Sequence, residues 1–333
     1  MRILVTGAAG FIGSAVCASL ASEGHEVIGI DNYSSYYSVE LKKLRVDQFL
    51  TKAGIEFLEI DISDFVKVNQ VVNSFHPDSV IHLAAQAGVR LPRNQFSKYI
   101  DSNLVGFTNI ARAAAEANVK EFMYASSSSI YGDTAKIPYS EREESLNPNS
   151  FYGATKRFNE LAISSILANS STKARGLRFF TVYGPWGRPD MAYFRMISNV
   201  VTGSPFELYG NGEIERDFTY ISDVVEMISR LLVQLTTQSP GFSDVVNVGG
   251  GRPLSMNYLS RMITDITGIE LSVSHRPGKP EDVARTMADP TYLLELIGKK
   301  PDTKIEDGIK STLIWAKTIS DKKTLYNWAS SSQ

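Results

Sequence analysis

Arg2-Ile-Leu-Val-Thr6 runs directly into Gly7-Ala-Ala-Gly10-Phe-Ile-Gly13. An apolar run that stops at glycines reads as a buried strand ending in a tight turn. The residues beyond Gly10 have helical periodicity, so the turn opens a helix. Glycine lets the backbone turn sharply and approach a pyrophosphate. The helix N-terminus adds unpaired N–H groups and the positive end of its dipole. The spacing is one residue longer than G-x-G-x-x-G. Gly7, Gly10 and Gly13, with Phe11 and Ile12 between them, are therefore expected to hold a dinucleotide.

The same alternation continues outward from this turn. Candidate strands cover 2–6, 26–31, 56–60, 79–83, 121–126 and 176–180, with helical patterns near 11–23, 38–52, 64–74, 100–117 and 152–168. Strands separated by helices predict an α/β fold with a doubly wound parallel (Rossmann) sheet. After Tyr183 the texture changes. Gly184-Pro-Trp-Gly-Arg-Pro189 is a turn-rich loop, followed by mixed short strands and helices. They suggest a smaller, interleaved C-terminal α/β domain over the carboxyl ends of the strands, where open sheets bind ligands. The expected division is 1–180 plus about 222–248 for the dinucleotide domain, and about 181–221 plus 249–333 for the second.

Composition narrows the function classes. The 333 residues are 43% hydrophobic and 21% charged, with a net charge of −2, so nothing predicts bulk attraction to nucleic acid or anionic membrane. The one cysteine, Cys17, permits no internal disulfide and no thiolate metal cluster, which points to a reducing, cytoplasmic setting. Arg2 before an apolar run imitates a signal peptide, but the glycines interrupt the run. No stretch reaches the ~20 apolar residues of a membrane span. The first strand begins so early that no room for an N-terminal anchor is expected.

Several residues fit around a bound dinucleotide. Asp31 ends the second strand, 18 residues beyond Gly13. A carboxylate there accepts both ribose hydroxyls and repels a 2′-phosphate, favouring NAD over NADP. Asn32 stands beside it. Asp61-Ile62, at the end of the third strand, is placed to meet the adenine. Leu83-Ala84-Ala85 offers small side chains after the fourth strand, and Asn103 is expected to brace that loop. Phe179 is counted with the same site. His82, on an apolar strand, reads as an interior histidine.

A second decisive stretch is Ser126-Ser-Ser-Ser129-Ile-Tyr-Gly132, followed by Tyr152-Gly-Ala-Thr-Lys156. Tyr152 and Lys156 share one helix face at i, i+4. A phenol titrates near pH 10, so it needs nearby positive charge to act as a base. Lys156 supplies one such charge and can also hold the nicotinamide ribose. Ser127 can bond the same substrate oxygen as Tyr152. These three are the catalytic candidates.

Taken together, these residues resemble the extended short-chain dehydrogenase/reductase superfamily, and within it the NAD-dependent nucleotide-sugar epimerases, over nearly the full length. Asp31-Asn-Tyr-Ser-Ser-Tyr-Tyr37 and its basic helix look like those of UDP-glucuronate 4-epimerases. So, more specifically, does Arg178-Phe-Phe-Thr-Val-Tyr-Gly-Pro-Trp-Gly-Arg-Pro-Asp-Met-Ala192. The resemblance implies Tyr152 as base, Lys156 as its partner and Ser127 as second hydrogen-bonding group. It implies tightly bound NAD, regenerated each turnover. It also implies UDP contacts from Thr181, Tyr209, Arg216, Arg276 and Asp282, with Lys279-Pro280-Glu281 resembling a small insertion in that segment. A homodimer pairing the 100–117 and 152–168 helices, and a role in polysaccharide biosynthesis, follow from the same likeness.

The serine run separates related chemistries. The similar 4,6-dehydratases carry an Asp-Glu pair at positions like Ser128 and Ser129, and the UDP-glucuronate decarboxylases commonly a Glu at the latter. Neutral hydroxyls suit epimerisation of a UDP-sugar, UDP-glucuronate first. UDP-glucose/galactose or an N-acetylated or uronic variant is the alternative, decarboxylation a weaker one, and a dinucleotide-sensing binding protein the non-enzyme reading. A uronate would need its carboxylate held, and Arg188, Thr181, Ser128 and Ser129 are the candidates. Arg188 has a rival reading as a loop arginine paired to Asp190.

Overall fold

The computed structural model describes residues 1–278, 282–319 and 321–330. The first part alternates strand and helix: β1 (Arg2–Thr6), α1 (Phe11–Ser22), β2 (Glu26–Asp31), α2 (Val39–Arg45), β3 (Glu56–Glu59), α3 (Phe65–Phe75) and β4 (Ser79–His82). It continues with the short α4 (Ser97–Tyr99), then α5 (Phe107–Glu116), β5 (Glu121–Ser127), α6 (Phe151–Ile166), β6 (Lys173–Phe179) and β7 (Thr181–Tyr183). The rest comprises α7 (Ala192–Thr202), β8 (Phe206–Tyr209), β9 (Glu215–Tyr220), α8 (Ile221–Thr236), β10 (Ser243–Val248) and β11 (Pro253–Ser255). It ends with α9 (Met256–Thr267), β12 (Val273–Arg276), α10 (Thr291–Ile297), α11 (Ile305–Thr318) and α12 (Lys322–Ser330).

Seven strands form one parallel sheet in the order β10-β6-β5-β4-β1-β2-β3. Its strands are apolar on both faces because helices cover both. Ile3 and Val5 face a core shared with Val16 and Leu20 of α1 and Ile228 and Leu231 of α8. Leu4 and Val80 face the opposite core, with Val68, Phe107, Ile110 and Ile163. The strand order reverses between β1 and β4, and a crevice opens there beyond the carboxyl ends of the strands. Gly7 and Leu83-Ala84-Ala85 follow those two strands directly.

The remaining elements build a second core of Phe194, Ile197, Leu259, Leu313 and Trp328. A three-stranded sheet β11-β9-β7 and a two-stranded sheet β12-β8 accompany it. β10 returns to the large sheet beside β6, and no helix among the described residues is long and apolar enough to cross a membrane.

Element boundaries depart from the periodicity by more than two residues in three places. The sixth strand starts at Lys173, not 176. Its early charges hid it, yet Arg175 is fully buried and pairs with Asp244 on β10 at 2.7 Å. The helix expected at 38–52 loosens after Arg45 into a π turn (Val46–Leu50) and a 3-10 turn ended by Gly54 at φ 69°. The helix expected at 100–117 likewise begins as a π turn, Ile100–Gly106, before α5.

Candidate active site

The glycine loop is wound too tightly for side chains. A Cβ on Gly7 (φ +73°) would lie 2.7 Å from the Ala84 nitrogen, and one on Gly13 would lie 2.1 Å from the Gly7 oxygen. Gly10 caps α1 without a side chain, so the first-turn N–H groups have no side-chain acceptor. This is a cradle that a dinucleotide pyrophosphate fits. Leu83, Ala84 and Ala85 are half-buried beside it.

Asp31 is buried at the end of β2 and accepts hydrogen bonds from the Ala9 N–H at 3.2 Å and the Tyr33 N–H at 2.8 Å. The carboxylate therefore ties down the glycine loop. Asn32 donates to Asp61 at 2.8 Å. Burial acts to raise the Asp61 pKa, but hydrogen bonds from Asn32 and Ser63 leave it lowered on balance. Ile62 is buried, and a Cβ on Gly106 would lie 2.5 Å from its side chain. Asn103 accepts from the Gln86 N–H at 2.8 Å and donates to Thr155 at 3.0 Å, joining the loop after β4 to α6. His82 is 2.7 Å from the Thr6 hydroxyl. Burial, then the charge of Lys156, pushes its pKa down to about 3, so it stays neutral.

Ser150 caps α6 by accepting from the Gly153 N–H at 3.1 Å, and Tyr152 and Lys156 follow one turn apart. Lys156 donates to the Ala125 carbonyl at 2.9 Å and sits 6.0 Å from the centre of the Tyr152 ring. Burial lowers its pKa to about 8. Burial raises the Tyr152 pKa, while the Arg188 charge and a hydrogen bond with Ser127 act to lower it. Ser127 ends β5, and its Oγ accepts from the Ser129 N–H at 3.1 Å. Ser128 and Ser129 lie in the tight turn that follows, half-buried. Phe179 ends β6 in register with Ser127, and Thr181 opens β7.

Arg188 belongs to the loop after β7. Its Nε donates to Asp190 Oδ1 at 3.0 Å and its Nη2 to Oδ2 at 2.5 Å. The rival reading of Arg188 as a paired loop residue thus describes its contacts, yet its charge still reaches the Tyr152 phenol. Tyr36 donates to the same carboxylate at 3.2 Å.

Tyr209, Arg216 and Asp282 come together. Arg216 lies 3.6 Å from Asp282. Arg276 pairs with Tyr209 across β12 and β8, but its exposed guanidinium is bonded to Glu207 at 2.6 Å. The insertion at Lys279-Pro280-Glu281 lies outside the described residues.

Three features escaped the sequence reading. Arg90, on the loop after β4, bonds both Asp282 oxygens and lies 5.3 Å from the Tyr209 ring centre. Glu160, one more turn along the face bearing Tyr152 and Lys156, accepts from Arg178 at 2.9 Å and from Ser126 at 2.6 Å. The i, i+4 series could have revealed it. Arg45 is fully buried and donates to the Trp186 and Gly187 carbonyls, each at 2.8 Å, to the Tyr37 hydroxyl at 2.7 Å and to the Ala9 carbonyl at 3.4 Å. No pattern in the sequence marks it.

Comparison with known proteins gives consistent likenesses. The NAD dependent epimerase/dehydratase family matches residues 3–249. Protein CapI of Staphylococcus aureus is 38% identical over 328 residues, covering 95% of this chain and 98% of that one. A probable UDP-glucuronate 4-epimerase of Rhizobium meliloti is 38% identical over 331 residues, covering 95% and 96%. The crystal structure of UDP-glucuronic acid 4-epimerase from Bacillus cereus, in complex with UDP-glucuronic acid and NAD, superposes with a TM-score of 0.88. It is 30% identical, with 96% of this chain and 100% of that chain covered.

Proposed function

This chain belongs to the NAD dependent epimerase/dehydratase family, and from that premise we propose that it interconverts UDP-glucuronate and UDP-galacturonate by epimerisation at carbon 4. One observation carries the reading. A Ser127, Tyr152 and Lys156 set is flanked by neutral Ser128 and Ser129, with the Arg188 guanidinium close enough to bias the phenol.

NAD fits the cradle of Gly7, Gly10, Phe11, Ile12 and Gly13. Asp31, Asn32, Asp61 and Ile62 stand at its adenosine end, and Leu83, Ala84, Ala85, Asn103 and Phe179 along its side. NAD, when bound, takes the hydride from carbon 4 and returns it. Tyr152 removes the 4-hydroxyl proton, and Ser127 bonds the same oxygen. Lys156 holds the ribose and supplies positive charge, since a buried phenol would otherwise stay protonated at neutral pH. The 4-keto sugar then turns its other face while the UDP stays anchored. Arg216 suits the pyrophosphate, because guanidinium donates two parallel hydrogen bonds to anionic oxygens. Thr181, Tyr209, Arg276 and Asp282 complete the expected UDP contacts, and Arg90 joins them by position. The 4-keto uronate is a β-keto acid, and Arg188, Thr181, Ser128 and Ser129 restrain the carboxylate from leaving as carbon dioxide.

The assembly is read as a homodimer. Its support is the exposed apolar set Phe151, Phe158 and Leu161 on α6 with Ile100 and Val105 before α5. A cytoplasmic place and a supply of uronate for polysaccharide biosynthesis complete the proposal, supported by the lone buried thiol of Cys17. The test is product analysis with UDP-glucuronate. UDP-galacturonate should appear with no net reduction of NAD. Release of a UDP-pentose as main product, or turnover of UDP-glucose alone, would replace this reading.

A further inference from the structure

We propose that Asp190 is a specificity-determining residue that shields Arg188, so that a substrate carboxylate is steered by the guanidinium but not gripped by it. The inference rests on the uronate reading above and adds to it the control of that contact.

The strong mode of arginine–carboxylate binding is the two-pronged one. In this site the Nε/Nη2 fork is taken, and with it the opposite charge. Arg188 gives Nε and Nη2 to the two oxygens of Asp190, at 3.0 and 2.5 Å. The pair is partly exposed, the Arg188 side chain to 26% and that of Asp190 to 11%. Burial acts to raise the Asp190 pKa, but Arg188 and a hydrogen bond from Tyr36 leave it lowered on balance, so the carboxylate stays ionised at neutral pH. Tyr36 in turn lies against Gly88. A Cβ on Gly88, which has φ +85°, would lie 2.0 Å from its hydroxyl. Asp190 is therefore held from two sides and cannot swing away cheaply.

A second carboxylate entering this place meets a pair with no net charge. The Nη1 hydrogens and the second Nη2 hydrogen of Arg188 are left to receive it, but the charge behind them is already balanced by Asp190. For a simple binding protein that would be a poor arrangement. For an epimerase it resolves a conflict. The carboxylate on carbon 5 must be oriented while carbon 4 is a ketone, yet the whole ring must leave one face and present the other. A grip by an unbalanced guanidinium would tether the ring and stall it between hydride departures and returns. A contact to a guanidinium whose charge Asp190 already balances is weak enough to permit rotation. Binding and turnover are thus expected to pull in opposite directions at this residue.

The test uses the NAD-loaded full chain with Asp190→Asn, which keeps the shape and removes the charge, and Asp190→Ser as a second variant. Dissociation constants for UDP-glucuronate and UDP-glucose come from calorimetry, and KM and kcat from product analysis. The expected result is UDP-glucuronate binding tighter by roughly 10-fold, about one charged hydrogen bond. KM and kcat for it should both be lowered, and UDP-glucose binding should change by less than about 2-fold. In Arg188→Ala/Asp190→Asn the tightening should vanish, because the freed guanidinium is its source. If Asp190→Asn binds both sugars more weakly, or if both variants lose their fold or their NAD, Asp190 is a brace for the loop and the proposal is overturned. If the wild type forms no UDP-galacturonate, the uronate reading itself has failed, an outcome separate from these.

Discussion

Tyr152 is half-buried, bonded to Ser127 and within reach of the Arg188 charge. Burial raises its pKa, so the work of making it a base falls on the charges around it. Tyr152→Phe removes only the ionisable oxygen. Turnover should fall ~10²–10⁴-fold with UDP-sugar affinity nearly unchanged, and a variant keeping most of its rate would take the base role from this residue. Asp31 accepts from the Ala9 N–H, and the ribose role is the proposed one. Asp31→Ala should weaken NAD binding and erode the discrimination against NADP, measured by titration with each dinucleotide. An unaltered preference would leave Asp31 as a fastener of the loop. Lys156 gives a pH signature. Its folded pKa of about 8 lies below the ordinary 10.5, and the cost of burying its ammonium is fully present below pH 8. As pH rises through 8 the folded state sheds that proton before the unfolded one does, and stability rises. The NAD-free wild type should therefore gain on Lys156→Met in urea melts between pH 7 and 9.5, by about 2 kcal/mol. A pH-independent gap between the two would mean the amine is not desolvated.

At the level of elements, the buried charges are what the apolar pattern could not disclose. Periodicity finds faces, and it found α1, α3, α5, α6 and six of the seven strands of the large sheet. It is blind to a cation whose partner lies far along the chain. Arg175 finds Asp244, Arg178 finds Glu160, and Arg45 finds carbonyls more than a hundred residues away. The glycine loop, Asp31 and the Tyr152–Lys156 turn were legible because each is local, a few residues carrying their own geometry. The Arg90–Asp282 contact was not, because it joins two loops that only the finished fold brings together. Arg45 also links two loops directly: the glycine loop through Ala9 and the Arg188 loop through Trp186 and Gly187. Arg45→Ala would leave three or more buried acceptors unpaired. We expect a loss of about 3 kcal/mol or more, with NAD retention and sugar turnover impaired together. Arg45→Lys, which reaches fewer partners, should fall between. Calorimetric melting and the NAD content of the purified protein would check this, and full retention of both in Arg45→Ala would dismiss the link.

At the scale of the molecule, the alternation of strand and helix was readable from β1 to β6 because every crossover contains its own helix. The return of β10 was harder, since β7, α7, β8, β9 and α8 intervene. That late return has a consequence in time. While the chain is being made, β6 is complete at Phe179, but its neighbour does not exist until residues 243–248 have been added. At roughly 5–20 residues per second this interval is on the order of 3–13 s. During it Arg175 lacks Asp244, and one whole edge of an otherwise finished sheet stays open to any passing strand. The nascent protein thus has a window of adhesiveness built into its connectivity. A chain halted at Gly241 should be recovered in the insoluble fraction, and slowing synthesis between β6 and β10 should lower the soluble yield more than slowing it beyond β10.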